Sequence, residues 1–318
     1  MSDITVINDS EQSSLVTNGL AKNGELYLKA AGSTDAGAIV VYDSGSWRTF
    51  ANEFAPGGPF LTYEITNTGG DFTLRTRAVG ASYDVDWGDG NSESSTDRFL
   101  THTYTAGSYT INITPSGTYV PLYDNAADIT QITSVEIDDV INLATDLNSA
   151  FFGASNMTSF TASSATSTVT SMFKTWRNCS SLTSFPTIDT SSNASFRYTW
   201  AGCSSLTSFP SLDCSSGTGS LAFQGAWNGC SNLADFPANM FDTTGVITST
   251  AFGACWTGCA LTAQSIENIL TSLDTNGSSN ITVDISGGTN AVYSTWSTSA
   301  QTALSNLQTK GWTVSYNT

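Results

Sequence analysis

A phrase built on tryptophan, cysteine and proline recurs between Ser149 and Ile266, and it constrains the chain more than any other feature. It reads W176-RN-CSSLTSFP, W200-AG-CSSLTSFP, W227-NG-CSNLADFP and W256-TG-CALTAQSI, with successive tryptophans 24, 27 and 29 residues apart. Self-similarity at a period of roughly 20–50 residues calls for a stack of units, because one such unit cannot bury its own apolar face. F151-FGASNMTSF carries the phrase one period upstream with Ala154 in place of cysteine, and ITSVEI at 132–137 is a degenerate earlier copy, as a capping repeat would be.

Each repeat divides by its chemistry. Leu182, Leu206 and Leu233, followed three residues later by Phe185, Phe209 and Phe236, fill core-facing, strand-like positions. Pro186, Pro210 and Pro237 end the strand, since proline has no N–H for a ladder. After a Ser/Thr/Gly return, a short helical turn is expected to present Phe173/Trp176/Cys179, Phe196/Trp200/Cys203, Phe223/Trp227/Cys230 and Phe252/Trp256/Cys259 inward, because spacings of three and four share a face. The small polar residues left outside, Thr183, Thr187, Asp189 and Thr207, form a candidate binding face.

Four of the six cysteines, Cys179, Cys203, Cys230 and Cys259, hold the same place in successive copies, which reads as a ladder of buried free thiols. Neighbouring rungs lie close enough that geometry alone does not exclude disulfides, and Cys214 and Cys255 fall outside the ladder. Zinc is not expected, since no CxxC pair exists and the single histidine lies far away in sequence. No G-x-S-x-G, P-loop or G-x-G-x-x-G is present, so no enzyme is expected. Paired acids for glycoside cleavage would have to come from Glu136, Asp138, Asp139, Asp189, Asp213, Asp235 and Asp242, mostly at strand ends.

Ten basic residues against 27 acidic ones give a net charge of −17, and the basic residues do not cluster along the chain, which argues against binding nucleic acid through its phosphates. No stretch approaches the ~20 apolar residues of a membrane helix, so no membrane insertion is expected. Met1-Ser-Asp-Ile lacks the basic and apolar regions of a secretory signal. Ser, Thr, Gly and Asn fill the polar positions as in extracellular-type β modules, so assembly in a cytoplasm followed by release on lysis is the expected route out.

Ahead of the repeats lie two further segments. In residues 1–56, Glu25–Ala30 and Ala38–Tyr42 read as strands, followed by the phrase Trp47-Arg-Thr-Phe50. Pro56-Gly-Gly-Pro59 reads as a linker. Beyond it, Phe60–Thr66 and Phe72–Val79 alternate, then come Y83-DVDWGDGNSE and H102-TYTAGSYTINITPSG. Gly88 and Gly90 suit a tight turn with positive φ, Trp87 suits a core, and Tyr109-Thr-Ile-Asn-Ile alternates as a half-buried strand. Asp86 and Asp89 are suited to capping that turn. Asp84, Asp86 and Asp89 also form a weak calcium candidate, although D-x-D-x-x-D-G departs from the EF-hand spacing. His102 reads as a structural hydrogen-bonder beside the turn.

Three resemblances follow from these residues. Trp87-Gly88-Asp89-Gly90 with His102, Tyr104, Gly107 and Tyr109 resembles the PKD (polycystic kidney disease) immunoglobulin-like domain. Ser171-Met-Phe173 followed by CSSL resembles the leucine-rich repeats of BspA-like and mycoplasma-type surface proteins, with the tryptophan a departure. GAIVVYDSGSWRTFANE is similar to leading segments of phage tail-fibre and virion structural proteins. They imply a mostly β, multidomain chain: an N-terminal β module for virion attachment at 1–56, a PKD β-sandwich at 57–118, leucine-rich repeats forming a solenoid at 119–265, and an α+β C-terminal cap at 266–318. In that cap Ala263–Leu273 and Ser297–Lys310 read as helices, with strands at Ile281–Ile285 and Trp312–Tyr316. The function implied is a non-enzymatic phage virion surface protein, a capsid decoration or fibre, adhering to a host surface or glycan. Its expected partners are other virion proteins and further copies of itself. A bacterial BspA-like cell-surface adhesin is the alternative.

Overall fold

The structure, a computed structural model, describes residues 61–318 apart from 77–81, 117–118, 120, 125, 138–145, 163–167, 246 and 249; before residue 61 it describes the backbone of four strands. It divides into two compact units, Met1–Pro59 and Phe60–Thr318. Pro56–Pro59, Asp138 and Asp139 lie outside the described residues.

The first unit holds one open sheet in the order β1 (Thr5–Ile7), β2 (Leu26–Lys29), β3 (Ile39–Asp43) and β4 (Ser46–Phe50). Its strands β2 and β3 occupy the two runs expected from sequence. The tryptophan phrase adds β4, antiparallel to β3 with Tyr42 opposite Trp47.

The second unit opens with β5 (Leu61–Asn67), β6 (Gly70–Arg75), β7 (Tyr83–Asp86), β8 (Ser92–Ser95), β9 (Phe99–Tyr104) and β10 (Gly107–Pro115). Leu61, Tyr63 and Ile65 alternate with polar residues along β5, so one face of the strand is buried and the other is wet. Strand β10 pairs antiparallel with β5 on one side and β7 on the other. β6 and β9 make a separate two-stranded sheet whose Phe72, Leu74 and Tyr104 join the same buried cluster.

The larger sheet does not stop at residue 118. Strand β11 (Ile132–Ile137) pairs antiparallel with β5, and β12 (Ser159–Ala162) pairs in parallel with β11, giving six strands in the order β12-β11-β5-β10-β7-β8. Strand β11 is the degenerate copy ITSVEI, and Val135 stands opposite Phe160 of the next copy. The sheet therefore templates the first rungs of the repeats.

Past Ala162 the repeat chemistry differs from the expectation in two ways. Leu182, Leu206 and Leu233 are fully buried and Phe185, Phe209 and Phe236 nearly so, but their segments form only scattered bridges such as Ser208 to Asp235. The W-x-x-C segment is not a helical turn either. Every second N–H there donates to the following rung: Trp176 to the Thr199 carbonyl (2.9 Å), Trp200 to Ala226 (2.9 Å) and Trp227 to Cys255 (3.0 Å). The N–H groups between close three-residue turns, as from Cys203 to the Trp200 carbonyl (3.1 Å). An α-helix would spend its N–H groups internally and could not pair sideways. Alternating the two uses needs positive φ at two places four residues apart: Lys174 and Asn178, Tyr198 and Gly202, Gly225 and Gly229, Ala254 and Gly258. The second place is the glycine or asparagine before each cysteine.

Aromatic rings align along the stack. Trp176–Trp200, Trp200–Trp227 and Trp227–Trp256 lie 6.1, 5.4 and 5.5 Å apart with planes within 10°. A second column runs Phe160, Phe185, Phe209 and Phe236 at 5.8–5.9 Å, meeting the tryptophans edge-on. Such edge contacts add roughly 0.5–1.5 kcal/mol beyond area burial.

The array is closed by α1 (Ala263–Asn276), β13 (Thr282–Ile285), α2 (Thr298–Thr309) and β14 (Thr313–Tyr316), with β13 and β14 parallel. Thr262 and Ser297 cap the helices through Ser265 N–H and Ala300 N–H. Helix α1 runs three residues beyond the expected Leu273, to a left-handed Gly277. A helix offers no ladder carbonyls, so hydroxyls replace them: Ser265, Ser272 and Ser278 accept the N–H groups of Phe236, Phe241 and Ile247 at 2.8–3.1 Å. The described chain is mostly β, with open sheets and two α-helices.

Candidate functional site

The W-G-D-G turn between β7 and β8 is a knot of structural contacts. Gly88 N–H donates to Asp86 Oδ1 and Asn91 N–H to Asp89 Oδ1, both at 3.0 Å. Trp87 is buried and donates its indole N–H to Glu93 Oε1 (2.9 Å), while its carbonyl accepts the Tyr104 hydroxyl (2.8 Å). The His102 ring stacks on Trp87 at 4.8 Å, and its Nε2 lies 2.8 Å from Asp89 Oδ2. That hydrogen bond holds the Asp89 carboxyl below its ordinary range, with the Asn91 bonds adding to it. Tyr104 packs on Tyr109 (4.2 Å), whose ring lies over Gly107. His102 thus ties the turn to β9.

The calcium candidate is not assembled. Among the described residues no group of three or more His, Cys, Asp or Glu is placed to hold a metal ion. The physical reason is that each acid has its own partner: Asp84 accepts from Ser94 Oγ, Asp86 from the turn, and Asp89 faces His102.

All six cysteines are free and buried. In the four-membered ladder each thiol donates to a carbonyl of the preceding rung: Cys179 to Phe151 (3.4 Å), Cys203 to Trp176 (3.1 Å), Cys230 to Trp200 (3.1 Å) and Cys259 to Trp227 (3.2 Å). Asn290 continues the column, donating from Nδ2 to the Trp256 carbonyl (3.1 Å). Burial pushes every thiol up, Cys259 to about 12, so the sulfurs stay protonated donors and poor nucleophiles.

What the rungs leave exposed is small and polar. Thr183, Thr187, Asp189 and Thr207 are all exposed, with Thr158 and Ser159 extending the run one rung earlier and Ser184 and Ser208 beside them. Asp189 accepts from Ser191 N–H and Oγ, which holds its carboxyl low and ionised. Repetition places chemically equivalent groups at regular intervals along one face.

The structure also gathers what the sequence scatters. Lys174, Arg177 and Arg197, from neighbouring rungs, form one cluster with Phe152, Phe173 and Tyr198, contrary to the expectation that the basic residues stay apart. The Arg177 guanidinium lies 5.4 Å from both the Phe152 and Tyr198 rings, Arg197 lies 5.5 and 5.2 Å from Phe173 and Tyr198, and Lys174 lies 4.8 Å from Phe173. The signal was available in the repeat: Lys174 and Tyr198 share one column, as do Phe173 and Arg197, but the columns emerge only when copies are aligned on their positive-φ residues.

Comparisons with protein-family models, with curated proteins and with solved structures returned no match to this chain.

Proposed function

We propose that this chain is a non-enzymatic surface protein of a phage particle. In this reading residues 1–56 attach to other virion proteins, a PKD immunoglobulin-like module and leucine-rich-repeat rungs project outward, and the exposed Ser/Thr face adheres to a host surface or glycan. The observation that carries it is how the array spends its chemistry. Thiols, indoles and backbone N–H groups are committed inside the stack, while equivalent small polar groups recur at exposed positions. A face of that kind suits many weak contacts to a repetitive ligand better than one bond-breaking event. The particle setting rests on the leading segment's resemblance; a bacterial BspA-like adhesin shares the array but places it on a cell wall.

Deleting residues 1–56 tests the setting. The remainder, a compact unit with its own buried core, is expected to keep its near-UV circular dichroism while its copy number in purified particles falls to background. Undiminished incorporation, or recovery of the full chain with cell walls rather than particles, overturns the reading.

A further inference from the structure

We propose that the stack carries a second, cationic surface, formed by Lys174, Arg177 and Arg197, that binds the carboxylates of an acidic polysaccharide. The proposal rests on the adhesion reading above and names a ligand class for it. Lys174, Arg177 and Arg197 are the basic residues of the segment 130–265, and all sit on this one surface. None of the three takes part in an ion pair among the described residues. Asp189, Asp213 and Asp242 accept hydrogen bonds from Ser191, Ser215 and Ser272 and not from these cations. The cluster is therefore a local cationic surface on a chain of net charge −17. With a screening length of about 8 Å at physiological salt, contact there is governed by the nearby charges rather than the total.

The arginines are held in place before any ligand arrives. Arg197 Nε donates to Gln224 Oε1 (2.8 Å), which orients its plane and leaves the terminal NH2 groups. Tyr198, shared by both guanidiniums, lies where a side chain on Gly225 would stand, 2.3 Å from an added Cβ, so its ring is seated against the next rung. A guanidinium held over an aromatic ring within cation–π range is positioned while N–H donors stay available to a carboxylate in a charge-assisted pair. Cations on successive rungs also match a linear polymer with charge recurring along its length. A single-stranded nucleic acid fits less well, because the ring faces on which bases would stack already carry cations.

The test uses the full chain and immobilised polygalacturonate, with dextran and an oligodeoxynucleotide as comparators. Wild type is expected to bind polygalacturonate, and the double variant Arg177→Gln, Arg197→Gln to bind about ten-fold more weakly or less, as loss of charge-assisted pairs dictates. Lys174→Gln, which leaves both arginines in place, should give a smaller loss in the same direction and covers the case of a misfolded double variant. Thr302→Ala, exposed on α2, should leave this binding unchanged. Equal binding by wild type and the charge variants, preference for the oligonucleotide, or no binding to polygalacturonate overturns the proposal. Binding to dextran but not to polygalacturonate, lost in Thr183→Ala with Thr207→Ala, would leave the adhesion reading standing while this surface falls.

Discussion

Trp200→Ala is expected to cost about 3–5 kcal/mol of folding free energy, as removal of a large buried aromatic does. Trp200 is fully buried, stacks between Trp176 and Trp227, and meets Phe185 and Phe209 edge-on. Its loss opens a void shared by three rungs, so urea unfolding followed at the far ends of the array should weaken too, since each rung holds its neighbours. Trp200→Phe should lose well under half as much. The indole N–H of Trp200, like those of Trp176, Trp227 and Trp256, is buried without a hydrogen-bond partner, and removing such a donor relieves roughly 1–3 kcal/mol of desolvation penalty. Equal losses for the two variants would mean the rings do not form the column described.

The second large effect lies in the W-G-D-G turn. Gly88 has φ +76°, and an added Cβ would stand 2.2 Å from the Thr110 carbonyl oxygen in the middle of β10. Backbone cannot swing aside as a side chain does, so Gly88→Ala combines left-handed strain with displacement of a central strand, about 3 kcal/mol in total. Gly90→Ala supplies the control: φ is +91° but nothing lies within 4 Å of its added Cβ, which leaves only the conformational cost of about 1 kcal/mol. Thermal unfolding of the pair decides the point, and similar shifts at both positions would contradict the close approach of turn and strand.

Much of this was legible in the sequence because it follows from periodicity. The copy at 132–137 and the end of the copy that begins at Phe151 pair as successive rungs, the pairs Leu182/Phe185, Leu206/Phe209 and Leu233/Phe236 are buried, Phe173 is not, and the closing helices lie close to where their periodic spacing puts them. The ladder itself lies elsewhere than its spacing suggests. Spacings of three and four suggest a helix, but the glycine or asparagine before each cysteine marks a left-handed residue, which an α-helix excludes and a laterally paired turn ribbon requires. The lateral bonds consequently come from the W-x-x-C segment, and the Leu-to-Phe segment supplies mainly side chains. Asn290 carries no signal in the sequence because its rung has lost the tryptophan phrase, although its amide does what each cysteine thiol does one rung earlier. The cationic surface is hidden in the sequence because residues 174, 177 and 197 look scattered until the rungs are superposed.

The central claim is that the recurring Trp-x-x-Cys phrase specifies packing, so that the chain's binding capacity lies on what the rungs leave outside. Counting reactive thiols tests it most directly. With no reductant present, the native chain should show none of its six thiols to a polar thiol reagent within the time that unfolded chain reacts fully, and all six should appear on denaturation. A rapidly reactive native thiol among Cys179, Cys203, Cys230 and Cys259, or a denatured count that rises only when reductant is added, would contradict the account.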